Sequence, residues 1–239
     1  MKSLLYYHIA DLPGWEVHAR EEIAHMQSSG LWDHLSHAHF QLHYSPRSFD
    51  GFLEWLVDQA PFEVSWTLWE NSKPPCGELY SIHELREHAR DMDQPHAILR
   101  YHNKGITRLG SHVESRARGW QAYYRYWCVE QWALCQEALE AGYNTVGVNW
   151  HLNPGAQALG HWSGNIWWAR SDYLAELPLL DTGGSHSSLG GFSPRHDAEL
   201  WIGLDQGSEN RLELHHYQHG CVYNVEPPSD YRLGRRSRL

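Results

Sequence analysis

The stretch His161-Trp162-Ser163-Gly164-Asn165-Ile166-Trp167-Trp168-Ala169-Arg170 sets three indoles around a Ser-Gly-Asn turn. A packed core wants apolar side chains without a tight polar break among them. A ligand site wants flat aromatic walls and a glycine where backbone can approach closely. Sugars match such a surface, because their C–H faces stack on indole and their hydroxyls bond Asn and Ser. The competing reading is a buried strand whose indoles only fill volume. The turn between the aromatics favours a site, with Trp162, Ser163, Gly164, Asn165, Trp167 and Trp168 as sugar-binding candidates. Consecutive strand residues face opposite ways, so only one of Trp167 and Trp168 is expected to line the pocket while the other packs in the core.

Two further clusters have the residue types for chemistry. Tyr101-His102-Asn103-Lys104-Gly105 reads as a strand end followed by a turn with two potential cations and an amide. Lys104 and backbone N–H groups there suit a diphosphate, with Arg108 close enough in sequence to assist. The plain alternative is a polar β-turn. Arg195-His196-Asp197-Ala198-Glu199-Leu200-Trp201 places two acids two residues apart after a Gly/Ser-rich stretch. A carboxylate at the lip of a pocket is a candidate general base. The alternative is a helix N-terminus whose acids favour the dipole. The chain has no Walker A motif, no Gly-x-Ser-x-Gly elbow and no Gly-x-Gly-x-x-Gly fingerprint.

Periodicity supplies the elements that must position these clusters. Strands are predicted at 3–9, 37–44, 61–68, 97–101, 144–150 and 166–169. Helices are predicted at 15–29, 52–60, 81–90, 113–141 and 171–176, and a further helix or turn at 199–204. Residues 182–193 read as a mobile Gly/Ser-rich segment. Strands alternating with helices predict an α/β sheet, parallel in its first half, with ligands beyond the carboxyl ends of the strands. Tyr7-His8 and the 102–105 turn fall there.

Composition bounds the reading further. A chain of 239 residues with 41% hydrophobic content suits one domain, placed at 1–231, before a basic tail at 232–239. The 13 Trp and 13 Tyr serve both core and carbohydrate surface. A formal net charge of -10 argues against DNA, which is bound mainly through clustered cations. The 4 Cys show no Cys-x-x-Cys pair, and neither a signal peptide nor a spanning apolar segment is evident. A cytoplasmic protein is the expectation.

These pieces occur in an order that resembles a family of small bacterial and viral glycosyltransferases with a GT-A-like nucleotide-sugar fold, chlorovirus rhamnosyltransferase-like domains among them. The resemblance covers about residues 4–203. It rests on Tyr7-His8, Trp15, Ser29-Gly30-Leu31-Trp32-Asp33, Glu78 with Ser81-Ile82, the 102–105 turn, and Trp120 to Trp127 with Arg125. It continues through Val146-Gly147-Val148-Asn149, Trp162 to Ala169, Tyr173-Leu174, Leu177-Pro178 and Glu199-Leu200-Trp201-Ile202. Asn103 stands where the family has Thr. An Asp-x-Asp metal signature is missing from the turn after Tyr101, and Asp91-Met92-Asp93 lies before that strand. Divalent-metal dependence therefore stays open.

The resemblance implies a Rossmann-like mixed sheet flanked by helices and a nucleotide-sugar donor, UDP-, GDP- or dTDP-linked. It implies donor contacts from Tyr7, His8, Glu78, His102, Asn103, Lys104 and Gly105, and adds Trp201 to the sugar-binding residues. Glu199 aligns with the family's acid and Asp197 is the runner-up for the base. The expected reaction moves a sugar to a hydroxyl acceptor, with inversion because a single carboxylate suits direct displacement. Competing readings are a non-catalytic carbohydrate-binding protein and a phage-type DNA-base glycosyltransferase.

Overall fold

The computed structural model describes residues 1–44, 49–70, 77–103, 108, 110–152, 159–180, 189, 194–205, 209–217 and 232. Lys104 and Gly105, nearly all of the Gly/Ser-rich stretch and nearly all of the basic tail lie outside them.

Described strands are β1 (Ser3–Ala10), β2 (Leu35–Tyr44), β3 (Glu63–Glu70), β4 (Ala97–His102), β5 (Thr145–Val148), β6 (Trp150–Leu152), β7 (Gly160–Trp162), β8 (Trp167–Arg170) and β9 (Arg211–His215). Described α-helices are α1 (Trp15–Ser28), α2 (Leu31–His34), α3 (Asp50–Gln59), α4 (Gly77–Arg90), α5 (Glu114–Arg125), α6 (Trp132–Glu140), α7 (Ser171–Glu176) and α8 (Pro194–Leu200). Seven strands form one sheet in the order β3-β2-β1-β4-β8-β5-β9, and β6 pairs with β7 in a separate ribbon. Strands β1 to β4 are mutually parallel, β8 runs against both β4 and β5, and β9 is parallel to β5. This is an α/β fold with a mixed sheet flanked by helices, Rossmann-like in its first four strands.

Each face of the sheet is covered, so β1 reads as a nearly unbroken apolar run. Its alternation divides the core. Leu5, Tyr7 and Ile9 pack in the layer with Ala19 and Ile23 of α1, Phe52 of α3, Trp120 of α5 and Leu139 of α6. Leu4 and Tyr6 pack in the opposite layer with Leu79 and Ile82 of α4, Leu174 of α7 and Ala198 of α8. The single long helix expected at 113–141 is interrupted by a π-helical turn at Tyr126–Glu130, which re-phases α6 against the core. The strand expected at 144–150 is split by Asn149, whose φ of 59° takes it out of extended geometry.

The chain builds β1, β2 and β3 outward and then returns to the other side of β1 with β4. Open α/β sheets of this kind bind ligands beyond the carboxyl ends of the strands at such a switch point, here those of β1 and β4.

Candidate functional site

At this switch point the strand ends are tied together by Asn103. Its backbone N–H donates to the His8 carbonyl at 3.3 Å. Its side-chain amide donates to the Ala10 carbonyl at 3.0 Å and accepts the Ala10 N–H at 3.2 Å. Asn103 thus closes the backbone of β1 where the ladder stops, and both ends of its side-chain amide are engaged within the protein.

His102, on β4, faces α4. Its Nε2 lies 2.6 Å from the Gly164 carbonyl oxygen and its Nδ1 lies 3.4 Å from Glu78 Oε1. A carbonyl only accepts, so Nε2 carries a proton, and the Nδ1 contact to the carboxylate is a hydrogen bond when the ring is protonated on both nitrogens. His8 is buried one strand away, with Nδ1 2.5 Å from Ser81 Oγ and its ring 4.3 Å from that of His43. Burial, and next the neighbouring His43, push the His8 ring well below the usual imidazole range despite the pull of Glu78. For Glu78, burial pushes the carboxyl up. The hydrogen bond from His102 and the positive charges of His102 and Arg100 outweigh it and hold the group well below the usual carboxylate range.

Arg100 of β4 is a site residue that sequence reasoning missed. It is 1% exposed, and its Nε and Nη2 have no hydrogen-bond partner among the described residues. Burial lowers its pKa, while the charges of Glu78 and Glu199 oppose that. Glu78 Oε2 and Asn165 Nδ2 are likewise buried and unpaired. The sequence signal was an Arg at an inward position of an otherwise apolar strand, which a local motif search passes over. Buried ions stay in a fold only when they are paired or serve a ligand.

The Ser163–Asn165 turn is held from several sides. Gly164 has φ 84°, and a Cβ there would lie 2.6 Å from Tyr124 Cζ, so only glycine fits. Ser163 Oγ is 3.2 Å from Tyr124 Oη, and Asn165 Oδ1 accepts the Trp167 indole N–H at 3.0 Å. The expectation of one indole lining an open pocket is not met. Trp167 packs in the layer of α4, α7 and α8, Trp168 in the opposite layer, and both are fully buried. The Trp168 N–H donates to the Cys128 carbonyl at 2.8 Å. Trp162 and Trp201 are also fully buried; Trp162 packs on Trp150 at 4.8 Å, and Trp201 donates to the Pro178 carbonyl at 2.8 Å. Trp162, Trp167 and Trp201 turn inward because they fill the layer with α4, α7 and α8, while Trp168 fills the layer of α5 and α6.

The structure therefore brings together His8, Glu78, His102, Gly164 and Asn165, with Ser163 beside them. Tyr7 stands apart, since β1 alternation points it into the opposite layer, edge-on to Tyr101 at 5.3 Å. Arg125 is also on that side, donating to Glu22 Oε1 at 3.1 Å. Both acids lie on α8. Asp197 is 1% exposed and Glu199 is partly exposed, with its charge felt by Arg100. Asp91 and Asp93 lie between α4 and the start of β4, at the end of the sheet away from the cluster. Among the described residues no group of three His, Cys, Asp or Glu is arranged to hold a metal ion, and no helix is long and apolar enough to cross a membrane. A hollow of about 410 Å³ lined by Ala141, Gly142, Tyr143 and Asn210 opens where β5 and β9 begin, away from this chemistry.

No protein-family model matches the sequence, and no curated protein matches it. Among solved structures the chain is similar to HddC from Yersinia pseudotuberculosis, with 8% identity over 74% of this chain and 80% of that one and a TM-score of 0.38. At that score the likeness says nothing about activity.

Proposed function

We propose that the chain is a glycosyltransferase of GT-A-like architecture that moves a sugar from a nucleotide-sugar donor to a hydroxyl acceptor. The observation that carries this reading is the buried polar cluster at the β1/β4 switch point, where His102 bridges Glu78 and the Gly164 turn and where Glu78, Arg100 and Asn165 keep unpaired hydrogen-bonding atoms. A switch point is where open α/β sheets take nucleotide-type ligands, and converging unpaired donors and acceptors suit a polyhydroxyl group. The full burial of Trp162, Trp167, Trp168 and Trp201 favours an enzyme over a glycan-binding module, which needs indoles at the surface.

In this reading Lys104, following Asn103 in the chain, meets the donor diphosphate. The acceptor oxygen attacks the anomeric carbon, and the bond to the diphosphate breaks with its electron pair on the leaving oxygen. The acceptor proton passes to Glu199, the more accessible acid of α8, and the anomeric centre inverts. His102 positions the Gly164 turn. Calorimetric titration with UDP, GDP and dTDP tests the donor half. One of the three binding, and Lys104→Ala weakening it by roughly 1.5–3 kcal/mol, supports the reading; no binding by any of them contradicts it.

A further inference from the structure

The atoms left unpaired in the cluster have a definite chemistry. Glu78 Oε2 accepts only, whereas Arg100 Nε and Nη2 and Asn165 Nδ2 donate only. They are gathered by the fold. Arg100 stands opposite Trp167 across the β4–β8 pair, and Trp167 bonds Asn165 Oδ1 at 3.0 Å. His102, two residues along β4 on the same face, links the Gly164 carbonyl at 2.6 Å to Glu78 at 3.4 Å. The Glu78 carboxylate and the Gly164 carbonyl therefore flank one imidazole, with Asn165 next to Gly164 in the chain and Arg100 two residues back on the same face of β4. His102 is turned towards Glu78 Oε1, which leaves Oε2 for another donor.

We infer that Glu78, Arg100 and Asn165 form a hydroxyl-recognition subsite that accepts a neutral sugar and rejects a carboxylated one. The inference rests on the glycosyltransferase reading and names the class of donor. A hydroxyl both donates and accepts, so a pair of neighbouring sugar hydroxyls satisfies Glu78 Oε2 and the Arg100 fork together. A sugar carboxylate or a phosphate oxygen has no proton to give, and it would set a second anion against the unpaired lone pairs of Glu78. The charges of Glu78 and Glu199 both act on Arg100, so the guanidinium already sits in the field of two carboxylates. Specificity here comes from the repulsive partner as much as from the attractive one. It also reassigns Glu78 from the diphosphate to the sugar, since a buried carboxylate opposes a phosphate.

Matched donors test this: UDP-glucose against UDP-glucuronate, with the equivalent dTDP- or GDP-linked pair for a site selective for another base. The members of each pair differ only in a carboxylate at the sugar's terminal carbon. Affinity is read by calorimetry. The wild type is expected to bind the neutral member more tightly by roughly tenfold or more. Glu78→Gln replaces the lone acceptor with an amide that also donates, and should shrink that ratio at least about tenfold. Arg100→Lys keeps the charge but loses the fork, and should weaken the neutral member while the Glu78→Gln effect on the ratio persists. An unchanged ratio in Glu78→Gln, as expected if the unpaired atoms hold only water, overturns the subsite while leaving the proposed function standing. Failure of every pair to bind overturns the proposed function, and the subsite with it.

Discussion

The His102 Nε2 stands 2.6 Å from the carbonyl oxygen of Gly164, 62 residues further along the chain. That bond joins the carboxyl end of β4 to the turn entering β8. It sets one ring between the glycine carbonyl and the Glu78 carboxylate, 3.4 Å away at Oε1, so the switch point and the Ser-Gly-Asn turn are joined.

Gly164 should tolerate no side chain. Its φ of 84° costs a non-glycine residue about 1–2 kcal/mol, and a methyl 2.6 Å from Tyr124 Cζ adds about 1–3 kcal/mol of overpacking. Gly164→Ala is expected to lower unfolding free energy by roughly 2–5 kcal/mol. Gly30 has a similar φ of 78° but nothing within 4 Å, so Gly30→Ala should cost only the conformational part. Denaturant titration of both variants separates the two; equal losses would mean that Tyr124 yields freely.

Trp167 and Trp168 should behave as core residues despite facing opposite layers. Replacing either by Ala is expected to cost about 3–5 kcal/mol, with no selective effect on donor binding from Trp168. Urea unfolding and calorimetry on each variant check this. A Trp167→Ala protein of near-normal stability that has lost its donor would restore the aromatic wall the sequence suggested.

That contrast shows what was legible in the sequence. The parallel first half of the sheet was readable because buried strands such as β1 are continuous apolar runs and helices such as α1 carry apolar residues at helical spacing. The Ser-Gly-Asn turn was readable because glycine between bulky neighbours signals a backbone constraint. The burial of the indoles was not, because Trp162, Trp167 and Trp201 are covered by α7 and α8 and Trp168 by the 126–140 helical segment, contacts made between segments distant in the chain. Short β9 was missed for the same reason. Arg100 escaped because an inward-facing charge leaves no local pattern, and its meaning depends on Glu78 and Asn165 arriving from other segments. The role of the Asn103 amide in closing the end of β1 also leaves no local pattern, since Ala10 lies 93 residues away in the chain.

The buried imidazoles under α4 predict acid sensitivity. His43 is lowered to about 4, by burial first, and His8 is lowered well below the ordinary value of 6.5. Unfolded, both titrate near 6.5, so between there and about 4 the unfolded chain binds protons that the folded chain does not. Their contribution is therefore complete above about pH 6.5 and is lost as pH falls, by up to about 3 kcal/mol for His43. Urea midpoints from about pH 7.5 down to about pH 4.5 should fall steadily, and His43→Gln should flatten the slope. A profile that does not change in the variant would remove His43 from the cause.

The two acids of α8 are separable by kinetics. Glu199→Gln keeps size and hydrogen bonding but takes no proton, and should lower kcat by ~10²–10⁴ with donor affinity nearly unchanged. Asp197→Asn, at a buried position, should act mainly on stability. The reverse pattern would transfer the base role to Asp197.

Sugar transfer is measured most directly as nucleoside diphosphate release from a panel of UDP-, GDP- and dTDP-sugars, with and without hydroxyl acceptors. Release is expected from one donor class, accelerated by acceptor and suppressed by Glu199→Gln. Binding of a sugar with no release under any acceptor, or release unaffected by that substitution, would contradict it.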